Sequence, residues 1–257
     1  MYILECLFFY KETGFCLNMQ KGKLIEIEGT DGSGKETQVK ILIDRMKCEN
    51  LKCVSIDFPR YDTPSGRIVG QCYLGKDTKF YEWEGSTGWF GDPDKVDSRG
   101  ACAYYAADRR FAKPFIEDNL KRGVNVATDR YVDANKGHQG GKVLDKKERL
   151  KLYEDLDSLE YGFMELPRPD IVVFLHMPTD VSLELKKKRS SDILEKLDGH
   201  ENNVEHLRRS EAAYLELAEL YNWVKIECAP DGTMDSLKCR EEIHEEIWDR
   251  VGDFLGS

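Results

Sequence analysis

The sequence predicts an α/β protein of three layers, a five-stranded parallel sheet with helices on both faces. Two observations predict it. Short β-rich runs alternate with helix-length segments along nearly the whole chain, and the first run enters its helix through a glycine-rich loop. Alternation of this kind makes successive strands parallel, because each helix returns the chain to the same end of the sheet. The 257 residues, 40% hydrophobic and 33% charged, suffice for one domain with a full core.

The chain starts with "MYILECLFFYKETGFCLN". Its apolar run lacks a preceding basic stretch, contains Glu5, and is too short to span a membrane. Residues 1–22 are expected to be an extension without a catalytic role, and 23–257 to form the functional domain. The first strand is "KLIEIE" (23–28), and the helix over 34–49 carries Val39, Leu42, Ile43 and Met46 at the helical period. "CVSIDF" (53–58) is the second strand. "GKDTKFYEWEGSTGWFGDPDKVD" (75–97) fits neither period and reads as a long surface loop. A helix over 98–122 leads to the third strand, "VNVATD" (124–129), and one over 146–162 precedes the fourth, "DIVVFLH" (170–176). The charged "KKKRSSDILEKLDGHENN" (186–203) reads either as a solvated helix end or as a moving lid. A helix over 203–221, the strand "WVKIEC" (223–228) and a helix over 234–254 complete the order. Ligands in such sheets bind beyond the carboxyl ends of the strands, which makes residues there the candidates for function.

The formal charge of -10 argues against broad nucleic-acid or anionic-membrane binding, and the mean hydropathy of -0.56 is ordinary for a soluble globular protein. A small anion held by a few converging cations stays compatible with them. The eight cysteines are scattered without a C-x-x-C pair, which speaks against a zinc site and for free thiols in a reducing, cytoplasmic setting. His138, His200 and His206 are expected to be surface residues rather than metal ligands.

Gly29-Thr30-Asp31-Gly32-Ser33-Gly34-Lys35 fits G-x-x-x-x-G-K between a strand and a helix, the setting in which such a loop holds phosphate. Glycines let successive backbone N–H groups point into one hollow, and the helix N-terminus adds about half a positive charge. A side chain at the glycines would obstruct a triphosphate, and Lys35 can neutralise its β and γ oxygens. ATP is the expected ligand, with Mg²⁺ as its cofactor. Glu36 departs from the pattern, which places there a Ser or Thr whose hydroxyl ligates Mg²⁺; Thr37 follows one position later. Either Glu36 faces away or its carboxylate touches the metal.

Further cations sit where strands end and helices begin: Arg60 and Arg67 in "DFPRYDTPSGR", Arg109 and Arg110 in "YYAADRRFAKPF", and Arg130 after Asp129 in "ATDRYVDANKGHQGGK". Arginine binds phosphate bidentately, so the run points to a second anion site.

These stretches resemble the thymidylate kinases. "EGTDGSGKETQ", "FPRYDTPSG", "YAADRR", "DRYV", "HQGGK" and "ELPRPDIVVFL" occur in that family's order and spacing, from about Lys23 to Tyr221. The resemblance implies a P-loop NTPase fold, transfer of a phosphoryl group from MgATP to dTMP, and a homodimer. It implies that residues 29–37 bind ATP and that Asp31 faces the acceptor's sugar hydroxyl. Tyr105 would stack on thymine where the family commonly has Phe, and Arg109 and Gln139 would contact the base. Arg130 would grip the acceptor phosphate, with Asp129, and Thr37 as a second candidate, near the metal. Phe58, Arg60 and Asn135 join the substrate contacts. Residues 186–203 would form the lid, with Arg189 reaching the transferring group. Lys35, Asp31, Arg130 and Arg189 form the implied catalytic set. Ala134 and Asn135 occupy a region where a Ser is common, and His138 replaces a usual aromatic.

Two other readings are open from sequence. A deoxynucleoside kinase would need a carboxylate base, for which Asp57 is placed. A nucleotide-binding protein without transferase activity has Glu36 in its favour.

Overall fold

In a computed structural model, residues 20–76, 88–190 and 204–255 are described. β1 (Leu24–Gly29), β2 (Cys53–Asp57), β3 (Asn125–Asp129), β4 (Ile171–His176) and β5 (Val224–Glu227) form one sheet in the order β2-β3-β1-β4-β5. Every neighbouring pair is parallel, as the alternation requires. The helices are α1 (Lys35–Cys48), α2 (Pro64–Arg67), α3 (Ser98–Lys121), α4 (Asp133–Gly140), α5 (Lys146–Asp157), α6 (Thr179–Ser190), α7 (Val204–Leu220) and α8 (Arg240–Leu255). α2 and α5 each run on into a wider π turn, Ile68–Tyr73 and Ser158–Phe163.

Three helices differ from the sequence expectation. α2 and α4 fall in stretches to which the sequence assigned no element, and α6 occupies the start of the proposed lid, residues 186–190; the rest of that stretch lies outside the described residues. α4, "DANKGHQG", has no apolar stripe and carries internal glycine, which costs a helix about 1 kcal/mol. Packing explains it: a Cβ on Gly137 would lie 2.4 Å from the ring of Tyr214 on α7. Of the proposed 75–97 loop, residues 88–97 contain a tight turn bridged between Gly88 and Gly91, and 77–87 lie outside the described residues.

Alternation along β1 divides the core. Ile25 and Ile27 pack with Val39, Leu42 and Met46 of α1 and with Ile243, Ile247 and Val251 of α8. Leu24 packs on the opposite side with Ala112, Ile116 and Leu120 of α3. Glu26 and Glu28 share Leu24's parity and are fully buried there, although acidic residues in an alternating strand are expected to face water. Glu28 accepts from the backbone N–H of Tyr131 and the hydroxyl of Tyr214, both at 2.9 Å. Glu26 accepts from the N–H of Asp133 at 3.1 Å. Burial, then the nearby Asp133 and Glu28 carboxylates, push Glu26 well above the usual carboxylate range. The two acids pin the turn after β3 and the start of α4 to the sheet, the segment that carries the acceptor-site residues.

Candidate active site

The glycine loop leaves β1 and enters α1, and Gly34 caps that helix in the left-handed region with φ 87°. Gly32 has the same φ, and a Cβ there would meet Ser182 Oγ of α6 at 2.4 Å. The Ser182 hydroxyl donates to the carbonyl of Asp31 at 2.7 Å, so close approach of α6 demands a glycine independently of any ligand. Lys35 is buried and donates to the carbonyls of Gly29 and Thr30, both at 2.9 Å. Burial, then Arg130, lower its pKa to about 8, against the pull of Asp31, Asp129 and Glu28.

The ammonium is therefore the form present below about pH 8, and above it the free protein must take up a proton to hold a polyanion. ATP affinity is expected to fall by up to about tenfold per pH unit above 8. Titration calorimetry from pH 6.5 to 9.5 checks this, and a constant affinity would contradict it.

Glu36 is exposed at the mouth of the cavity and pairs with Lys40 at 2.5 Å, and Thr37 is half-buried in the first turn of α1. Among the described residues no group of three or more His, Cys, Asp or Glu is placed to hold a metal ion. Asp129 offers one buried carboxylate oxygen without a hydrogen-bond partner. That donor set fits Mg²⁺, which keeps several waters and takes one or two carboxylates with substrate phosphates.

Beyond the carboxyl ends of β2 and β3 lies a cavity of about 490 Å³. Phe58, Asp129 and Arg130 reach it from strand ends, Tyr105 and Arg109 from α3, and Asn135 and Gln139 from α4. Asp31 and Glu36 reach it from the loop side, so the phosphate loop and the cavity adjoin. The structure thus brings together all but Arg60 of the residues expected to contact the second substrate.

Arg130 stands where the loop and the cavity meet. It directly follows β3 with φ 64°, is ion-paired with Asp31, and approaches His138 Nε2 with Nη1 at 2.7 Å. A guanidinium can only donate, so His138 presents the lone pair of a neutral ring. Burial opposes ionisation of Asp31, yet Arg130 first, with Lys35 and Lys186, holds it well below the usual range.

Arg109 is 1% exposed. Its Nε donates to Glu160 at 2.6 Å, Nη2 to the other oxygen of Glu160, and Nη1 to the carbonyl of Tyr131 at 3.0 Å. Asn135 donates to the same Glu160 at 2.7 Å. Arg109 therefore forms a fixed wall of the cavity, not a mobile arm.

Arg60 departs from its expected role. Its backbone and side chain bind Asp108, with Nη2 also 2.9 Å from the Asp108 carbonyl and 3.2 Å from Ser65, and it does not line the cavity. Asp108 is 1% exposed and needs a compensating cation, which Arg60 supplies. Arg189 lies in the last turn of α6, and its side chain is outside the described residues.

The family model described as thymidylate kinase matches residues 27–238. The chain belongs to the thymidylate kinase family. It is accordingly a phosphotransferase, built on the P-loop α/β fold that the sheet displays. Among its relatives, the thymidylate kinase of Halothermothrix orenii is 27% identical over 90% of this chain and 97% of its own length. The probable thymidylate kinase of Methanocaldococcus jannaschii is 29% identical over 89% and 95%. The solved thymidylate kinase of Candida albicans superposes with a TM-score of 0.62 at 20% identity, covering 91% of this chain and 92% of that one, a likeness of fold.

Two participants in this thymidylate kinase family site are invisible as motifs. Glu160 lies in the helix expected over 146–162 with nothing local to mark it as the counter-ion of Arg109. His138 was legible only as a replacement, and its contact with Arg130 is what gives it a place.

Proposed function

We propose that the chain transfers the γ-phosphoryl group of MgATP to the 5′-phosphate of dTMP, giving dTDP and ADP. The observation that carries this reading is Arg130, a bidentate phosphate-binding group set between the phosphate loop and the adjoining cavity. An acceptor that is itself a phosphate gives that guanidinium a direct partner, whereas a kinase acting on a neutral hydroxyl needs a carboxylate base aimed at that hydroxyl.

The acceptor phosphate is already an anion, so no strong base is needed. The work is to bring two mutually repelling phosphates into line and to neutralise charge on the equatorial oxygens. Backbone N–H groups of residues 29–37 and Lys35 hold the donor's phosphates. Arg130 meets the acceptor phosphate, and Asp31 orients that guanidinium and faces the sugar. Tyr105 and Phe58 present aromatic faces to the base, while Arg109 and Gln139 bound its edge. Arg189 is assigned to the transferring group by the family resemblance alone. Asp129 would hold Mg²⁺ together with water, and the ion would supply neutralisation of the donor's phosphate charge.

The protein acts in the cytoplasm as a homodimer. Among the described residues no helix is long and apolar enough to cross a membrane. A second copy would cover Phe111, Phe115 and Phe163, which are 73%, 44% and 80% exposed.

Coupled ADP release across a panel of nucleoside monophosphates with Mg²⁺ tests the reading. Release is expected to rise most with dTMP, and release that no monophosphate stimulates would contradict it.

A further inference from the structure

Gln139 is 1% exposed, and its two amide ends meet different surroundings. Nε2 donates to the hydroxyl of Tyr73 at 3.1 Å. Oε1 is buried, has no hydrogen-bond partner among the described residues, and belongs to a residue that lines the acceptor cavity. A buried carbonyl oxygen left without a donor is destabilising, so a ligand that supplies an N–H recovers that cost.

Tyr73 stands behind the cavity wall, in the π turn after α2, and is also 1% exposed. Its hydroxyl accepts from the Lys142 ammonium at 2.8 Å and donates to the Pro93 carbonyl at 3.3 Å. Lys142 donates to that same carbonyl at 2.5 Å. A phenol has one proton and two lone pairs. With its proton on Pro93 and one lone pair facing Lys142, the other faces Gln139 and calls for the NH₂ end of the amide.

We propose that Tyr73, held by Lys142, is a positioning residue that turns the Gln139 carbonyl toward the base edge and so selects pyrimidines with a ring N–H over those with a bare ring nitrogen. Thymine and uracil carry the N–H at this edge. Cytosine presents a lone pair there, which Oε1 repels. The inference rests on the proposed reaction and adds the origin of its base preference. It also separates two kinds of discrimination: an added methyl in an apolar pocket is worth only about 10- to 200-fold, whereas a site built around a hydrogen bond discriminates far more strongly.

Tyr73→Phe removes the hydroxyl and keeps the ring, which frees the amide to turn its NH₂ toward the cavity. Values of kcat/KM for dTMP, dUMP and dCMP in wild type and variant provide the test. The dTMP:dCMP ratio is expected to fall by about tenfold or more, with dTMP decreasing and dCMP increasing. The dTMP:dUMP ratio and the KM for ATP are expected to hold, because both imides present the same N–H. Lys142→Met loosens the phenol from the other side and is expected to move the ratio in the same direction by a smaller factor, which keeps the test open if Tyr73→Phe folds poorly. An unchanged dTMP:dCMP ratio, or a parallel fall for both substrates, overturns the inference and leaves the reaction intact. Wild-type protein that does not phosphorylate dTMP overturns the reaction itself, and this inference with it.

Discussion

Replacing Arg130 with methionine is expected to lower kcat/KM for dTMP by about 10³-fold or more, the scale on which arginines act at transferring phosphoryl groups. Methionine keeps length and apolar contact but removes the charge. The loss has two sources. The acceptor phosphate loses its bidentate partner, and Asp31, which Arg130 holds ionised, is left in a buried site without its main counter-charge. Arg130→Lys is expected to recover only part of the activity, since an ammonium restores charge without the planar fork that also reaches His138. ATP affinity should change little, because Lys35 and the loop amides carry it. Steady-state kinetics on both substrates read this directly. A tenfold or smaller loss would remove Arg130 from the centre of the mechanism.

The largest stability effect is expected from Glu160→Gln. Arg109 and Glu160 are 1% and 0% exposed, and the substitution leaves a buried guanidinium without its charge partner. Removing one member of such a pair costs about 3–5 kcal/mol. For a chain of this size that corresponds to a fall in Tm of roughly 10 °C. Burial pushes the Glu160 carboxyl up against the pull of Arg109, so desolvation offsets part of what the geometry offers and the lower end of the range is expected. Asp155→Asn is the control. Its partner Arg99 lies at 2.9 Å, but both side chains are about half exposed, and breaking an exposed pair costs at most about 1 kcal/mol. Calorimetry of both variants checks the contrast, and equal shifts would contradict it. Glu160→Gln should also reduce activity, because Arg109 and Asn135 take their positions from that carboxylate.

What the sequence made legible follows from where each signal resides. The five strands and the helices over 34–49, 98–122 and 203–221 carry local periodicity, which needs no knowledge of neighbours. The phosphate loop was readable for the same reason, since its glycines and lysine act through their own backbone and the next helix. α4 was not, because its stabilisation comes from Glu26 beneath it and Tyr214 across it, far apart in sequence. Arg60 and Arg109 both counted in sequence as cations for a second anion site, one just after the second strand and the other inside the helix over 98–122. Only packing separates them, one compensating Asp108 outside the cavity and the other fixed into its wall by Glu160. Glu26 and Glu28 carry no local mark of burial, yet both are fully buried and hold the turn after β3 and the start of α4. Pairings between distant charged residues decide these cases, and no spacing rule encodes them.

The most direct test follows the phosphorus atom. ATP labelled at the γ position is incubated with the protein, Mg²⁺ and either dTMP or thymidine, and the products are separated. Label is expected in dTDP with dTMP, and little in any product of thymidine. Label appearing in dTMP made from thymidine, or only in free phosphate with either acceptor, would contradict a site built to hold two phosphorylated nucleotides.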